Sequence, residues 1–221
     1  MMDLFLPASF VSGIIDWIAV GLKRRSLEYI AKPATLLFLI VWFAGKADLS
    51  NPSRLVFLVG LVFSLAGDIF LMLPTDRFLA GLASFFLAQL AYIVAFNPGG
   101  PILNTYSLLA ALIIGAVAAA FLWQVRRGLA RSGSSIPFPA IVAYATVLSL
   151  TLWSTWTFPQ RYADLALLGR LIPLGGLLFF VSDAVLAWNR FVGAFRAGRL
   201  INMSTYHLSK WLLSLGIASV L

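Results

Sequence analysis

Two carboxylates lie where a charge is costly. In FSLAGDIFLM (Phe63 to Met72), Asp68 is the one charged residue between Leu55 and Pro74, and in LLFFVSDAVLAW (Leu177 to Trp188) Asp183 is equally isolated. An ionisable side chain near the middle of a membrane helix costs about 2.5 to 3.5 kcal/mol on insertion scales. Such residues normally face the bundle interior, find a partner and mark a functional site. Two carboxylates that share a buried site divide the roles of acid and base between them. The bland alternative is an aspartate that only bonds a neighbouring helix.

Other polar side chains are spaced to complete such a site. Ser64 precedes Asp68 by one helical turn, and Ser182 adjoins Asp183. Gln89 and Tyr92 share a helix face, as do Tyr206 and Lys210. Tyr144 is a polar-tipped ring in an apolar run. Each tyrosine is equally readable as part of an interfacial belt. Lys32 and Lys210 are candidates to hold a lipid phosphate, with a topology-setting or snorkelling lysine as the alternative for Lys32. His207, the single histidine, reads as a proton shuttle or as an interfacial polar residue.

Much chemistry is excluded. The chain has no cysteine and one histidine, so thiolate nucleophiles and multi-histidine metal sites are absent. There is no GxSxG, no phosphate-binding loop and no dinucleotide fingerprint. Neither a metal nor a cofactor is expected. The net charge of +8 sits in short connections, where it sets topology and meets anionic lipid, so nucleic acid is not an expected partner.

The positioning elements follow from composition. Of 221 residues, 61% are hydrophobic and 11% charged, with a mean hydropathy of +0.95. Soluble domains are roughly a quarter charged. An all-α, polytopic membrane bundle is predicted, as one domain over residues 1–221. About eight candidate spans lie near 4–22, 33–49, 54–74, 78–96, 101–123, 137–157, 163–188 and 204–221, each approaching the roughly 20 apolar residues a bilayer needs. Alternate loops carry Lys23, Arg24, Arg25 and Lys32, then Arg77, then Arg126, Arg127 and Arg131, then Arg190, Arg196 and Arg199. The opposite loops carry Lys46, Arg54 and Arg161. The positive-inside rule then places both termini outside, with Asp68, Asp183 and the start of the last segment in the cytoplasmic half. With no organelle-targeting stretch visible, a bacterial inner membrane is the expected location.

Read together, GLVFSLAGDIFLM, FLAGLASFFLAQLAYIVAF, GLLFFVSDAVLAWNRF, an upstream KP and TYHLSKWLLSLG resemble the YhhN family of lysoplasmalogenase-like integral membrane proteins, over residues 28–218. The resemblance implies a lipid hydrolase that cleaves the vinyl ether bond of lysoplasmalogens, giving a fatty aldehyde and glycerophospho-ethanolamine or -choline. It implies Asp68 and Asp183 as acid and base without metal or cofactor, Tyr206 and Tyr144 as orienting groups, and Lys32 on the phosphate. Two positions depart from the family pattern. Gln89 stands where a histidine is expected and Lys210 where a glutamine is expected. A glutamine can hydrogen-bond but cannot carry a proton near neutral pH. Two other functions fit the intramembrane carboxylates: a small proton-coupled transporter, and a non-catalytic lipid-binding or scaffold protein.

Overall fold

The structure, a computed structural model, describes residues 2–132, 136–162 and 166–220. It is built from eight α-helices: α1 Phe5–Gly21, α2 Arg25–Lys46, α3 Pro52–Met72, α4 Phe78–Phe96, α5 Thr105–Ser132, α6 Phe138–Thr157, α7 Ile172–Ala187 and α8 Gly198–Val220. Short 3-10 turns sit at Met2–Leu4, Phe158–Arg161 and Gly169–Leu171, and a π-helical turn, Trp188–Val192, extends α7. Among the described residues, seven helical segments are long and apolar enough to cross a membrane. The eighth, α8, has 23 residues but too many polar ones to qualify on composition. Its Asn202, Tyr206, His207, Ser209, Lys210 and Ser214 are turned inward and buried.

Local chemistry sets the helix ends. Asn51 caps α3 by accepting from the Ser53 N–H, and Pro52 begins the helix where its missing N–H costs nothing. Lys23, at φ 56°, makes the tight reversal that lets α2 fold back on α1. Arg161 clasps the α4–α5 link, donating to the carbonyls of Pro98 and Gly100 and to Asn97 Oδ1.

Several boundaries differ from the sequence reading. Helix α2 starts at Arg25, not at Pro33, so Lys32 lies inside it. The proline removes one backbone donor without stopping the helix. Helix α5 runs on to Ser132, α8 begins at Gly198, and α7 begins at Ile172 with residues 163–165 outside the described segments.

The tightest pairings are α1 with α2, α3 with α4 and α7 with α8, while α6 packs against α4 and α7. Glycine sets the α3–α4 distance. A side chain at Gly60 would meet the Tyr92 ring at 2.5 Å, and one at Gly67 would meet the Phe85 ring at 2.6 Å. Buried Phe43, Phe57, Phe96, Phe158 and Phe179 fill the interior. Helix α5 is peripheral, packing mainly on α6 and the π-turn, and it exposes Leu108, Leu109, Leu112, Ile113 and Val117. Apolar side chains facing outward in this way are what a lipid-facing helix presents.

Candidate active site

Helix α3 carries Ser64 and Asp68 one turn apart on the face turned toward α2, α4 and α8. Asp68 is 1% exposed. Its Oδ1 lies 3.0 Å from Lys32 Nζ of α2, and its Oδ2 accepts from the Tyr206 hydroxyl of α8 at 2.8 Å. Both oxygens therefore have donors, which satisfies the rule that a buried charge must be paired. The Lys32 ammonium also lies 5.9 Å from the centre of the Tyr206 ring.

One turn further along α8, Lys210 is also buried. Its ammonium donates to Ser64 Oγ at 3.1 Å and to the Tyr92 hydroxyl at 3.2 Å, and those two oxygens are themselves bonded at 2.9 Å. It sits 3.6 Å from the Phe179 ring centre and 4.6 Å from that of Tyr92. Cation–π contacts of this kind partly replace lost hydration. Among the described residues no carboxylate lies within ion-pair distance of this ammonium, and Ser64 turns to Tyr92 and Lys210 instead of Asp68.

Asp183, on α7, belongs to a separate contact. Its Oδ2 accepts a short hydrogen bond from the Tyr144 hydroxyl of α6. No hydrogen bond or ion pair joins Asp183 to Asp68 among the described residues, although Lys210 lies within electrostatic range of both. Ser182 bonds away from its neighbour: its Oγ donates to the Asn202 carbonyl at 3.1 Å, and Asn202 Nδ2 donates to the Ser182 carbonyl at 2.8 Å. Gln89 is fully buried beside the Tyr144 hydroxyl, with which it interacts, but neither of its terminal atoms makes a hydrogen bond of good geometry among the described residues.

His207 does not join this network. Trp17 Nε1 of α1 donates to its Nδ1 at 3.1 Å, and its Nε2 faces Asp16 Oδ2 at 4.0 Å. Neighbouring positions on a helix point about 100° apart, so when Tyr206 faces Asp68, His207 faces α1.

Two cavities reach these groups. One is a slot of Leu, Phe, Val, Ile and Ala side chains between α4, α5, α6 and α7, with Asp183 and Tyr144 as its polar wall. The other is a polar vestibule of about 270 Å³, lined by Arg25, Glu28, Lys32, Asn189, Arg199 and Asn202 among others. Leu71 and Leu186 line both cavities and form the partition between them. Lys32 links the vestibule to Asp68. Asp68 itself lines neither cavity. Among the described residues, no group of three or more His, Asp or Glu is placed to hold a metal ion.

Three contributors escaped the sequence reading. Asp16, in GIIDWIAV of α1, is as isolated in sequence as Asp68 and fully buried, with neither oxygen hydrogen-bonded. The pattern that exposed Asp68 was present there too. Arg199 pairs with Glu28 across the vestibule. Asn202 ties α8 to α7. Neither Arg199 nor Asn202 carries a local sequence pattern that announces it.

The family model described as the YhhN family matches residues 27–217. The chain is 33% identical over 201 residues to lysoplasmalogenase TMEM86B of Mus musculus, covering 90% of this chain and 78% of that protein. It is 28% identical over 221 residues to lysoplasmalogenase TMEM86A of Homo sapiens, covering 96% and 81%. It is 25% identical over 210 residues to the uncharacterized membrane protein YhhN of Escherichia coli O157:H7, covering 93% and 96%. No solved structure matches.

Proposed function

This chain belongs to the YhhN family of multi-pass integral membrane proteins, and on that premise we propose that it is a membrane lipid hydrolase that cleaves the vinyl ether bond of lysoplasmalogens. Relatives at 28 and 33% identity bear the name lysoplasmalogenase. The observation that carries the reading to this chain is the pair of cavities sharing Leu71 and Leu186. An apolar slot ends on a carboxylate, and a basic vestibule lies behind the same partition. That suits a lipid with one chain in the slot, its phosphate among Arg25, Lys32 and Arg199, and its ether linkage near Asp183.

Vinyl ether hydrolysis starts with transfer of a proton to the β-carbon. In the proposed sequence Asp183 supplies that proton, and the O–CH=CH unit becomes an oxocarbenium ion. The Asp183 carboxylate then takes a proton from an incoming water as the water adds to the cationic carbon, giving a hemiacetal and restoring the acid. Collapse of the hemiacetal releases the aldehyde and returns a hydroxyl to the glycerol. One carboxyl group acting first as acid and then as base follows the logic of retaining glycosidases, which pass through a similar cation. Tyr144 orients the carboxyl through its hydroxyl. Asp68, with donors on both oxygens, acts as a fixed negative charge that favours the cation, with Tyr206 and Lys32 holding it. Lys210, Ser64 and Tyr92 form the rigid polar support behind it.

Purified protein in detergent, given a lysoplasmenyl-ethanolamine or -choline, is expected to release fatty aldehyde, which a hydrazine probe traps. Asp183→Asn is expected to abolish release, and Asp68→Asn to reduce it strongly. Folded parent protein that releases no aldehyde from either substrate overturns the reading.

A further inference from the structure

Glu28, paired with Arg199 in the vestibule wall, has no part in the reading above. Glu28 lies one turn before Lys32 on α2, so both face the vestibule. It is 8% exposed. Its Oε1 accepts from Arg199. Its Oε2 is buried and has no donor among the described residues. The Arg199 side chain, by contrast, is 54% exposed and can swing into the cavity at little cost.

A buried carboxylate oxygen without a donor is a group awaiting one. The charge order of the pair also matters. A phosphate can take the guanidinium of Arg199, with Arg25 beside it, while an ammonium tethered to that phosphate takes the Glu28 carboxylate. A zwitterionic headgroup thus replaces one ion pair by two complementary contacts. A primary ammonium brings three N–H donors to Glu28. A trimethylammonium brings none, and the usual way to bind one is a cage of aromatic rings. Among the described residues, Tyr29 is the one aromatic side chain lining the vestibule.

We infer that the vestibule is a headgroup site that selects phosphoethanolamine over phosphocholine, with Glu28 as the specificity-determining residue. The inference rests on the reading of this site as a lyso-lipid site and adds the headgroup to it. The same headgroup is carried by lyso-lipids and by two-chain phosphatidylethanolamine, so the test includes both.

The test uses the full chain in detergent and lysophospholipids with ester-linked palmitoyl chains, which bind without vinyl ether turnover. Competition between lysophosphatidylethanolamine and lysophosphatidylcholine is read by native mass spectrometry. The ethanolamine form is expected to bind at least about tenfold more tightly, the factor that one unmade hydrogen bond to a charged group gives. Glu28→Gln is expected to erase the preference. Arg199→Lys is expected to weaken both lipids while keeping the preference. Arg199 is exposed, so losing the pair leaves no buried cation that would threaten folding. Displacement by two-chain phosphatidylethanolamine would assign the bulk lipid as a source of the headgroup, and its failure to displace would assign the lyso form. The ethanolamine preference stands in both cases. Equal binding of the two lyso-lipids, a preference that survives Glu28→Gln, or no binding of either lipid by folded protein overturns the inference. Selective binding without aldehyde release leaves the headgroup site standing and removes the hydrolase. Equal aldehyde release from both headgroups does the reverse.

Discussion

Replacing Lys32 by methionine tests whether Asp68 is held as a buried charge. The substitution keeps the unbranched four-atom stem of the side chain and removes the ammonium 3.0 Å from Asp68 Oδ1. At that separation, and with an effective dielectric constant near 20, the lost attraction is about 5 kcal/mol. Breaking a buried pair by removing one partner is observed to cost about 3 to 5 kcal/mol, because the remaining charge keeps its desolvation penalty. Tyr206 still donates to Oδ2, so the lower part of that range applies. For a chain of this length, about 3 kcal/mol lowers the melting temperature by roughly 6 to 12 °C. The seven tryptophans give an intrinsic fluorescence readout in detergent. The double variant Lys32→Met/Asp68→Asn removes both charges and is expected to recover most of the loss. A Lys32→Met protein that melts with the parent, or a double variant less stable than the single, would refute the assignment of a buried ion pair.

Further outcomes follow from other contacts. Tyr144→Phe removes the hydroxyl bonded to Asp183 and is expected to lower aldehyde release about ten- to a hundredfold at a temperature where the variant is still folded, since a hydrogen bond to a charged group contributes about 1.5 to 3 kcal/mol, with a fall in melting temperature of roughly 3 to 12 °C; an unchanged rate would sink the orienting role. Gly176→Ala would place a methyl 1.9 Å from Thr155 Oγ1, so it is expected to destabilise by about 1 to 3 kcal/mol. Adding Thr155→Ala should restore part of that loss, and thermal melting of both variants decides it. Arg190 holds the Asp76 carboxyl, in the α3–α4 link, below the usual carboxylate range. A lowered folded value means that the contribution is complete at neutral pH and is lost as the pH falls through that value, below about pH 4. Protection factors in residues 73–77 and 188–196, which divide out the pH dependence of intrinsic exchange, should therefore fall on acidification in the parent and stay flat in Asp76→Asn; the same acid response in both would refute the clasp.

The helices were legible because lipid-type apolar runs are long and their breaks are charged. The polar core was legible in outline: Asp68, Tyr206, Lys32, Ser64, Tyr92 and Lys210 do meet, as one-turn spacings on α3 and α8 imply. The pairing was not legible. Spacing shows that Ser64 and Asp68 share a face, but the register between α3 and α8 decides that Lys210 reaches Ser64 while Tyr206 reaches Asp68. The separation of Asp183 from Asp68 is likewise a matter of which helices touch. Proline is common at a helix start, yet α2 passes through Pro33 and places Lys32 two turns inside the helix. Arg199 reads from the sequence as a loop cation, and its position at the start of α8 depends on the turn after the π-helical segment.

The residue before each aspartate makes a contact of its own. Gly67 accepts the Phe85 ring of α4 against its bare backbone, and Ser182 is bonded to Asn202 of α8. Each acid is therefore indexed against a neighbouring helix by its immediate predecessor, as a vernier is set by the mark beside the reading. A genetic screen for loss of activity would accordingly return hits at Gly67 and Ser182 as readily as at the acids they precede. Those hits would mark misalignment of a carboxylate, with every reacting group still present in the chain.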